Sequence, residues 1–401
     1  MSGHSELASR RRRLLTSVVS CVITIVAAVA VSVGAATKSE AANNSRTLQA
    51  INVQTGKTVW TKHGGAGFWG AAGTTDGVII VVEGSCEEDA PESAVLGFDR
   101  TGKQRWRVET QGGVSLPGAI ETIGYRPPGL SEGAVVWSQF SSQDKVKLQA
   151  VDPKSGRSLW TQTRDGRNSW TLAGSRDLVI IGPREVEPHL GPPTQTVRAL
   201  DRNTGKQRWS RQLPTSGART LTSVATDKIV VVNVDNRLWG LDPKTGAGRW
   251  TLELPVPERV YPEAWLSMAS DSVAVVTQDA GSNQWASSGV NPDTGQLMWS
   301  GVPGTHASEP GNVALITTFA PPAATASVAA TDAHSGSVLW TVNQPSIRFA
   351  TTNGRVATVQ TADTIRVLDA QTGAEQRTLP ALPKSRTMTL ADERLFLAGG
   401  C

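Results

Sequence analysis

A chain of 401 residues is longer than one hydrophobic core usually supports, so it either divides into domains or builds its core by repetition. The net charge is +4, and four consecutive arginines at positions 10–13 supply an excess of that size. The remaining sequence is close to neutral and has no basic cluster, which argues against a nucleic-acid-binding protein, since such a protein needs a concentrated basic face to neutralise phosphates.

The first predicted element is a membrane segment. Residues 1–13 form a short basic stub, and residues 14–36 contain no charged side chain. At a rise of about 1.5 Å per residue, this apolar stretch is long enough to cross a hydrocarbon core of about 30 Å. Because arginines stay on the cytoplasmic side, the sequence predicts a transmembrane signal anchor at 14–36 and a linker at 37–46, with the rest outside the cytoplasm.

A cleaved signal peptide is the alternative interpretation of this segment. The apolar stretch ends in the small residues Gly34, Ala35 and Ala36, which is typical of a cleavage site. The arginines followed by leucines also resemble a twin-arginine export signal. The apolar stretch is longer than a normal signal core, which favours the anchor.

The rest of the chain is dominated by one motif that occurs eight times. It has the form apolar-Asp-x-x-Ser/Thr-Gly-x-x-x-Trp, and VDPKSGRSLW at 151–160 is a complete copy. Its glycines are Gly56, Gly102, Gly156, Gly205, Gly246, Gly295, Gly336 and Gly373. In seven copies a tryptophan follows four positions later: Trp60, Trp106, Trp160, Trp209, Trp250, Trp299 and Trp340. The last copy has Arg377 at this position.

The residue types of the motif predict two strands joined by a tight turn. An Asp or Asn side chain accepts hydrogen bonds from backbone N–H groups within the turn, and glycine supplies the positive φ that closes it. Side chains alternate along a strand, so a tryptophan at a fixed offset lies on the same face in every copy. We therefore expect each indole to pack against a neighbouring sheet.

Short, continuous apolar segments lie between consecutive motifs. They include 78–82, 179–181, 229–232, 273–276, 313–316 and 395–398. Continuous apolar character predicts strands that are buried on both faces, as in a sheet that lies between two others. Each repeat is therefore interpreted as four strands, A to D, in which A–B is the apolar hairpin and C–D carries the motif.

The phase of the repeat predicts the number of blades. The repeats begin with a C–D hairpin at 47–61 and end with an A–B hairpin at 387–398. If these hairpins form one composite blade, the ring has eight blades and no long open edge. The sequence thus predicts an all-β, eight-bladed β-propeller of four-stranded antiparallel blades over 47–401, preceded by one N-terminal transmembrane helix.

Two cysteines occupy nearly equivalent positions in neighbouring blades. Cys86 follows strand B of the second blade, and Cys401 follows strand B of the composite blade. In an oxidising compartment they are expected to form a disulfide that stabilises the ring by about 4–5 kcal/mol, with two free thiols as the alternative.

The Asp-x-x-Thr-Gly-x-x-x-Trp pattern resembles the tryptophan-docking repeat of the pyrroloquinoline-quinone-like (PQQ-like) propellers, from about Thr47 onwards. The resemblance implies the fold and leaves two functional classes open. The family includes quinoprotein alcohol dehydrogenases, which bind PQQ and calcium over the propeller face. It also includes noncatalytic outer-membrane assembly lipoproteins, which act as scaffolds. The fold alone does not decide between them.

The chemistry-bearing residues favour the noncatalytic class. The sequence has neither the adjacent cysteine pair that the dehydrogenases place beside the quinone nor a Cys-x-x-Cys-His haem motif. The acidic residues 87–89 are better interpreted as a surface loop than as a cation site, and the histidines lack metal-ligand spacing. We therefore expect no enzymatic activity, cofactor or metal. The alternative is a quinoprotein-like oxidoreductase that binds PQQ and calcium.

The predicted binding surface is the face that carries the B–C and D–A loops. Loop length varies most there, as at 182–193 and 320–326, and variable loops on a rigid scaffold commonly carry binding sites. Trp69, Trp170 and Trp265 precede strand A in alternate blades, so we expect an aromatic contact surface near the mouth of the channel. Packing of each indole beneath its own loop is the alternative.

These expectations define one kind of protein. It is a monomer held in the cell membrane by a single span, with its propeller outside the cytoplasm. Its partner is a protein, a peptide or a glycan at the cell envelope, and nucleic acid is not a partner.

Overall fold

The computed structural model divides the chain into the units Met1–Ser45 and Arg46–Cys401. The structure describes residues 47–64, 67–75, 77–84, 92–111, 114–115, 133–141, 145–165, 170–182, 194–215, 221–254, 264–270, 272–281, 284–306, 311–318, 325–382, 385–391 and 393–399. The predicted basic stub, membrane span and linker lie outside these residues. Within the described part, no helix has the length and hydropathy needed to cross a membrane.

The described residues of the second unit form strands throughout. In chain order these are β1 (Thr47–Asn52), β2 (Thr58–His63), β3 (Gly67–Thr75), β4 (Val78–Gly84), β5 (Glu92–Asp99), β6 (Gln104–Gln111), β7 (Val114–Ser115), β8 (Val135–Ser141), β9 (Lys145–Val151), β10 (Ser158–Asp165), β11 (Trp170–Gly174), β12 (Leu178–Gly182), β13 (Thr194–Asp201), β14 (Gln207–Pro214), β15 (Thr222–Ala225) and β16 (Val230–Val234). They continue with β17 (Arg237–Leu241), β18 (Gly248–Glu253), β19 (Ala264–Ser270), β20 (Val273–Gly281), β21 (Gln284–Val290), β22 (Leu297–Pro303), β23 (Thr305–His306), β24 (Val313–Thr318), β25 (Ala326–Asp332), β26 (Val338–Gln344), β27 (Phe349–Thr352), β28 (Val356–Gln360), β29 (Thr364–Asp369), β30 (Glu375–Pro380), β31 (Ser385–Ala391) and β32 (Arg394–Gly399).

These strands form eight four-stranded antiparallel sheets, the blades of a propeller. Blade 1 has the order β2-β1-β32-β31, and blades 2 to 8 each contain four strands that are consecutive in the chain. In blade 1, Leu48 pairs with Ala398 and Asn52 pairs with Arg394. The predicted composite blade and the predicted eight-bladed all-β fold are therefore confirmed.

Strand B lies in the interior of each blade, as its apolar sequence predicts. Every residue of β12 and β16 is buried. The apolar clusters lie between blades: one contains Trp160 and Leu148 of blade 3 together with Ile181 and Leu200 of blade 4. The core is thus a series of interfaces between sheets, and the A strands of neighbouring blades contact one another at its inner edge.

The motif turn is held by the hydrogen bonds that its residue types allow. Asp201 Oδ1 accepts hydrogen bonds from the backbone N–H groups of Asn203 and Thr204, at 3.1 and 2.8 Å, and from the Thr204 hydroxyl at 2.8 Å. Gly205 then has a φ of +70°. Similar bonds to the Thr101 hydroxyl and to backbone N–H groups lower the pKa of Asp99 to about 2.

Six motif tryptophans dock on the following blade in the same way. The Trp160 indole lies against Gly205, and its Nε1–H donates to the carbonyl oxygen of Arg202 at 2.8 Å. The same two contacts join Trp106 to Gly156 and Pro153, Trp209 to Gly246 and Pro243, Trp250 to Gly295 and Pro292, Trp299 to Gly336 and Ala333, and Trp340 to Gly373 and Ala370. The acceptor is always the residue after the motif Asp or Asn, so an equal turn length gives equal docking.

The interfaces between blades 1 and 2 and between blades 8 and 1 lack this indole hydrogen bond among the described residues. Trp60 lies against Gly102 and stacks on Phe98 with ring centroids 6.0 Å apart, but its Nε1 has no hydrogen-bond partner among the described residues. The turn from Asp99 to Gly102 is one residue shorter than the others, and the carbonyl oxygen of Arg100, the residue after the motif Asp, accepts a hydrogen bond from Arg394 Nη1 at 2.8 Å instead.

Arg377 occupies the docking position between blades 8 and 1. Its Nη1 donates to the carbonyl oxygen of Thr55 at 3.0 Å, and its Nη2 donates to that of Gln54. Its aliphatic part lies against Gly56, where the other interfaces have an indole. A guanidinium group therefore takes the place of the indole at the interface between blades 8 and 1.

Candidate functional site

The three tryptophans of the predicted binding surface lie on the innermost strands. Trp69 is the third residue of β3, Trp170 is the first of β11, and Trp265 is the second of β19. These strands are strand A of blades 2, 4 and 6, and each begins where a D–A connection enters it. The backbone thus places the three positions at the same end of alternate inner strands. Their side chains lie outside the described part of the structure.

The same face carries a described aromatic and cationic pair in blade 5. The turn from β16 to β17 contains Asp235 and Asn236, whose φ values are 52° and 59°, and Arg237 follows it. The Arg237 guanidinium carbon lies 5.8 Å from the centroid of the Trp239 ring, and Arg237 also forms an ion pair with Glu253. Cation–π contacts of this kind hold both side chains in place at a rim.

The sequence analysis did not identify Trp239. It lies in strand C rather than before strand A, and it is partly buried against the apolar cluster between blades 4 and 5. Its position three residues before the motif Asp242 is a signal in the sequence, since the other copies have no tryptophan there. Together with Arg237 it adds a described contact to the loop face.

The predicted cysteines and the acidic loop lie outside the described residues. Cys86 lies two positions beyond the last residue of β4, Gly84, and Cys401 lies two positions beyond the last residue of β32, Gly399. Glu87, Glu88 and Asp89, the acidic residues of the predicted loop, also lie outside the described residues. Among the residues that are described, no group of three or more His, Cys, Asp or Glu side chains is arranged to hold a metal ion.

One serine and one histidine meet between blades 6 and 7. Ser267 Oγ lies 2.6 Å from His306 Nδ1, and the two residues are 5% and 1% exposed. Burial lowers the pKa of His306 to about 4, so the imidazole is neutral at physiological pH. The pair joins two inner strands and has almost no solvent access, so it does not present a nucleophile to a substrate.

The closed ring of four-stranded blades, joined through a recurrent Asp-Gly-Trp motif, defines a β-propeller built from PQQ-like repeats. A family described as "Outer membrane protein assembly factor BamB" matches residues 29–160, 144–320 and 324–400, and the chain belongs to this family. Its similarity to the BamB of Bordetella pertussis is 24% identity over 188 residues, which is 47% of this chain. The match spans 42% of the length of the Bordetella protein.

Two solved structures show the same fold. BamB from Moraxella catarrhalis has a TM-score of 0.52 and 17% identity, over 82% of this chain and 96% of that chain. Quinohemoprotein alcohol dehydrogenase from Comamonas testosteroni has a TM-score of 0.50 and 15% identity, over 89% of this chain and 73% of that chain. At these identities the similarity concerns the architecture, and both functional classes suggested by the motif occur on it.

Proposed function

We propose that this protein is a binding or scaffolding module of the cell envelope, held at the membrane by residues 14–36, with its propeller outside the cytoplasm. The family match over most of the chain is the observation that carries the proposal, because the family is described as an outer membrane assembly factor. Its partner is then a protein, and the face of the B–C and D–A loops is the surface that binds it.

The geometry of the ring supports this role. The docked side chains hold each blade against the next, so the starts of β3, β11 and β19 keep a fixed spacing around the channel. Positions that are held at a fixed spacing lose little conformational entropy on binding, and tryptophan, the residue type at positions 69, 170 and 265, has a large aromatic surface that suits protein contacts.

Photo-crosslinking in intact envelopes tests the binding face. A benzoylphenylalanine replaces Trp69, Trp170 or Trp265 in the full chain, one at a time. Val338, which is 58% exposed beside a motif turn on the opposite face, provides the control position. We expect a discrete protein adduct from the loop-face positions and none from position 338. The same adducts at all four positions, or none at any, would contradict the proposal.

The tether is tested separately by fractionation. The full chain is expected to remain with membranes after carbonate extraction, whereas a chain that starts at residue 37 is expected in the soluble fraction. Release of the full chain by carbonate would overturn the tether and leave the binding face untouched.

The oxidoreductase alternative has its own measurement. PQQ and calcium are added to the purified full chain, and binding and dye reduction are recorded. We expect neither. Tight PQQ binding with calcium-dependent dye reduction would replace the scaffold proposal with an enzymatic one.

A further inference from the structure

The interface between blades 3 and 4 carries two positive charges at one of its edges. On β10, side chains alternate, so Trp160, Gln162 and Arg164 share one face. Trp160 docks on blade 4 as described above, and Gln162 Nε2 donates to the carbonyl oxygen of Gly205 at 2.6 Å. These contacts fix the face of β10 that meets blade 4, and Arg164 lies on it one position before the strand ends.

Strand β13 of blade 4 supplies the other wall. Val197 and Ala199 pack with Trp209 in the cluster on the blade 5 side, whereas Leu200 packs with Trp160 on the blade 3 side. By alternation, Arg198 and Thr196 therefore face blade 3. Both are partly buried. Gln162 and Arg164 thus lie on one side of this edge of the interface, and Thr196 and Arg198 lie on the other; these four residues are called the cleft below.

The two arginines lie on facing sides of this interface, near enough for the positive charge of Arg198 to act on Arg164. Arg164 Nε and Nη2 donate to Gln162 Oε1 at 3.2 and 2.9 Å, so a neutral amide orients this side chain. Burial, and then the positive charge of Arg198, lower the pKa of Arg164. Within the described part of the chain, neither arginine forms an ion pair.

Two other arginines of the propeller, by contrast, each form an ion pair with a motif aspartate. Arg208, on the neighbouring strand β14, pairs with the motif Asp201, and Arg249 pairs with Asp242 in the next blade. Partly buried like charges repel each other more strongly than exposed ones, because less water screens them. The pair at 164 and 198 therefore has the electrostatic character of a site that gains stability from a bound anion.

We propose that this cleft binds a carboxylate side chain from an acidic segment of the partner protein. The inference rests on the proposed binding function and names the chemistry of the bound surface. Two guanidinium groups offer paired N–H donors that match the two oxygens of a carboxylate, and Thr196 adds a hydroxyl donor. Gln162 holds Arg164 in position before the ligand arrives, which lowers the entropic cost of binding.

The test uses a fluorescent tetraglutamate peptide and the purified full chain at low ionic strength. Fluorescence anisotropy is measured for the wild type, Arg164→Gln, Arg198→Gln and the matched control Arg208→Gln. Each cleft variant is expected to weaken binding about tenfold or more, because a charge-assisted hydrogen bond is lost. The control is expected to bind as the wild type does. A tetraglutamine peptide is expected not to bind.

Unchanged affinity in both cleft variants, or equal binding of tetraglutamine, would overturn the assignment. Inorganic phosphate distinguishes the source of the anion. Phosphate that binds the wild type as tightly as the peptide does, with the same loss in the variants, would overturn a protein carboxylate as the ligand.

The thermal midpoint serves as a further readout, since removal of one of two like charges should leave it unchanged or raise it. A clear fall in both cleft variants would instead indicate a structural role and contradict the proposal.

The outcome is separable from that of the proposed function. Crosslinks from the loop face with no peptide binding would reject the cleft and leave the function standing. Cleft-dependent peptide binding with no crosslinks would reject the loop-face partner.

Discussion

At the scale of single residues, the motif glycine meets two requirements at once. Gly205 has a φ of +70°, a conformation that side chains disfavour, and a Cβ added there would lie 2.7 Å from Cδ2 of Trp160. Turn conformation and blade docking therefore depend on the same position. Gly301 meets only the first requirement. Its φ is +74°, but no atom lies within 4 Å of a Cβ added there.

We predict that Gly205→Ala lowers stability by about 3 kcal/mol or more, because backbone strain adds to displacement of the indole. Gly301→Ala carries the strain alone and is expected to cost about 1 kcal/mol. Urea unfolding of both variants measures the difference. Equal losses would show that the indole contact does not constrain the glycine.

His306 predicts a specific dependence of stability on pH. Burial lowers its pKa from 6.5 to about 4, so between these values the unfolded chain binds more protons at this site than the folded chain. His306 therefore does not reduce the free energy of unfolding above pH 6.5. As the pH is lowered from 6.5, this free energy falls, and below pH 4 it is smaller by about 3 kcal/mol.

The measurement compares urea midpoints between pH 7 and pH 4.5 for the wild type and His306→Gln. The variant is expected to lose less stability over this range than the wild type. An NMR titration of the His306 imidazole provides the check on the folded protein. Protonation of this ring near pH 6.5 would contradict the account.

At the scale of elements, Arg377 replaces the docking tryptophan between blades 8 and 1. Its two donations to the carbonyl groups of Thr55 and Gln54 join blade 8 to blade 1. Arg377→Leu is predicted to cost about 1–2 kcal/mol through loss of both bonds. Hydrogen exchange should then become faster in β1 and β30 but not in β16. Arg355, an exposed arginine of the same blade, gives the control Arg355→Leu. Equal exchange in both variants would contradict the assigned role.

The sequence predicted those elements that local pattern determines. Continuous apolar segments gave the B strands, and the phase of the motif gave the composite blade that the pairing of Leu48 with Ala398 confirms. The altered docking of Trp60 could have been inferred from the shorter turn at 99–102. The roles of Arg377, and of Arg164 beside Arg198, could not, because each depends on how one sheet lies against the next.

At the scale of the whole molecule, the docking contact between blades 1 and 2 differs from those at six other interfaces. Within the described part of the chain, no group accepts a hydrogen bond from Trp60 Nε1 there. A disulfide between Cys86 and Cys401 would join the same two blades, and we keep it as a proposal. It would stabilise the fold by about 4–5 kcal/mol.

Non-reducing peptide mapping is predicted to recover the peptides of Cys86 and Cys401 as one linked species. Reduction is expected to lower the unfolding midpoint of the wild type and to leave that of the Cys86→Ser, Cys401→Ser double variant unchanged. Recovery of both residues as free thiols would reject the disulfide without affecting the ring.

The central claim is that a closed ring presents one face, defined by the D–A and B–C loops, to a protein at the envelope. Hydrogen–deuterium exchange of the full chain tests it most directly, by comparison between intact envelopes and the purified chain. The account predicts slower exchange in envelopes at the starts of β3, β11 and β19, with the motif turns unchanged. Protection confined to the motif turns on the opposite face would contradict it.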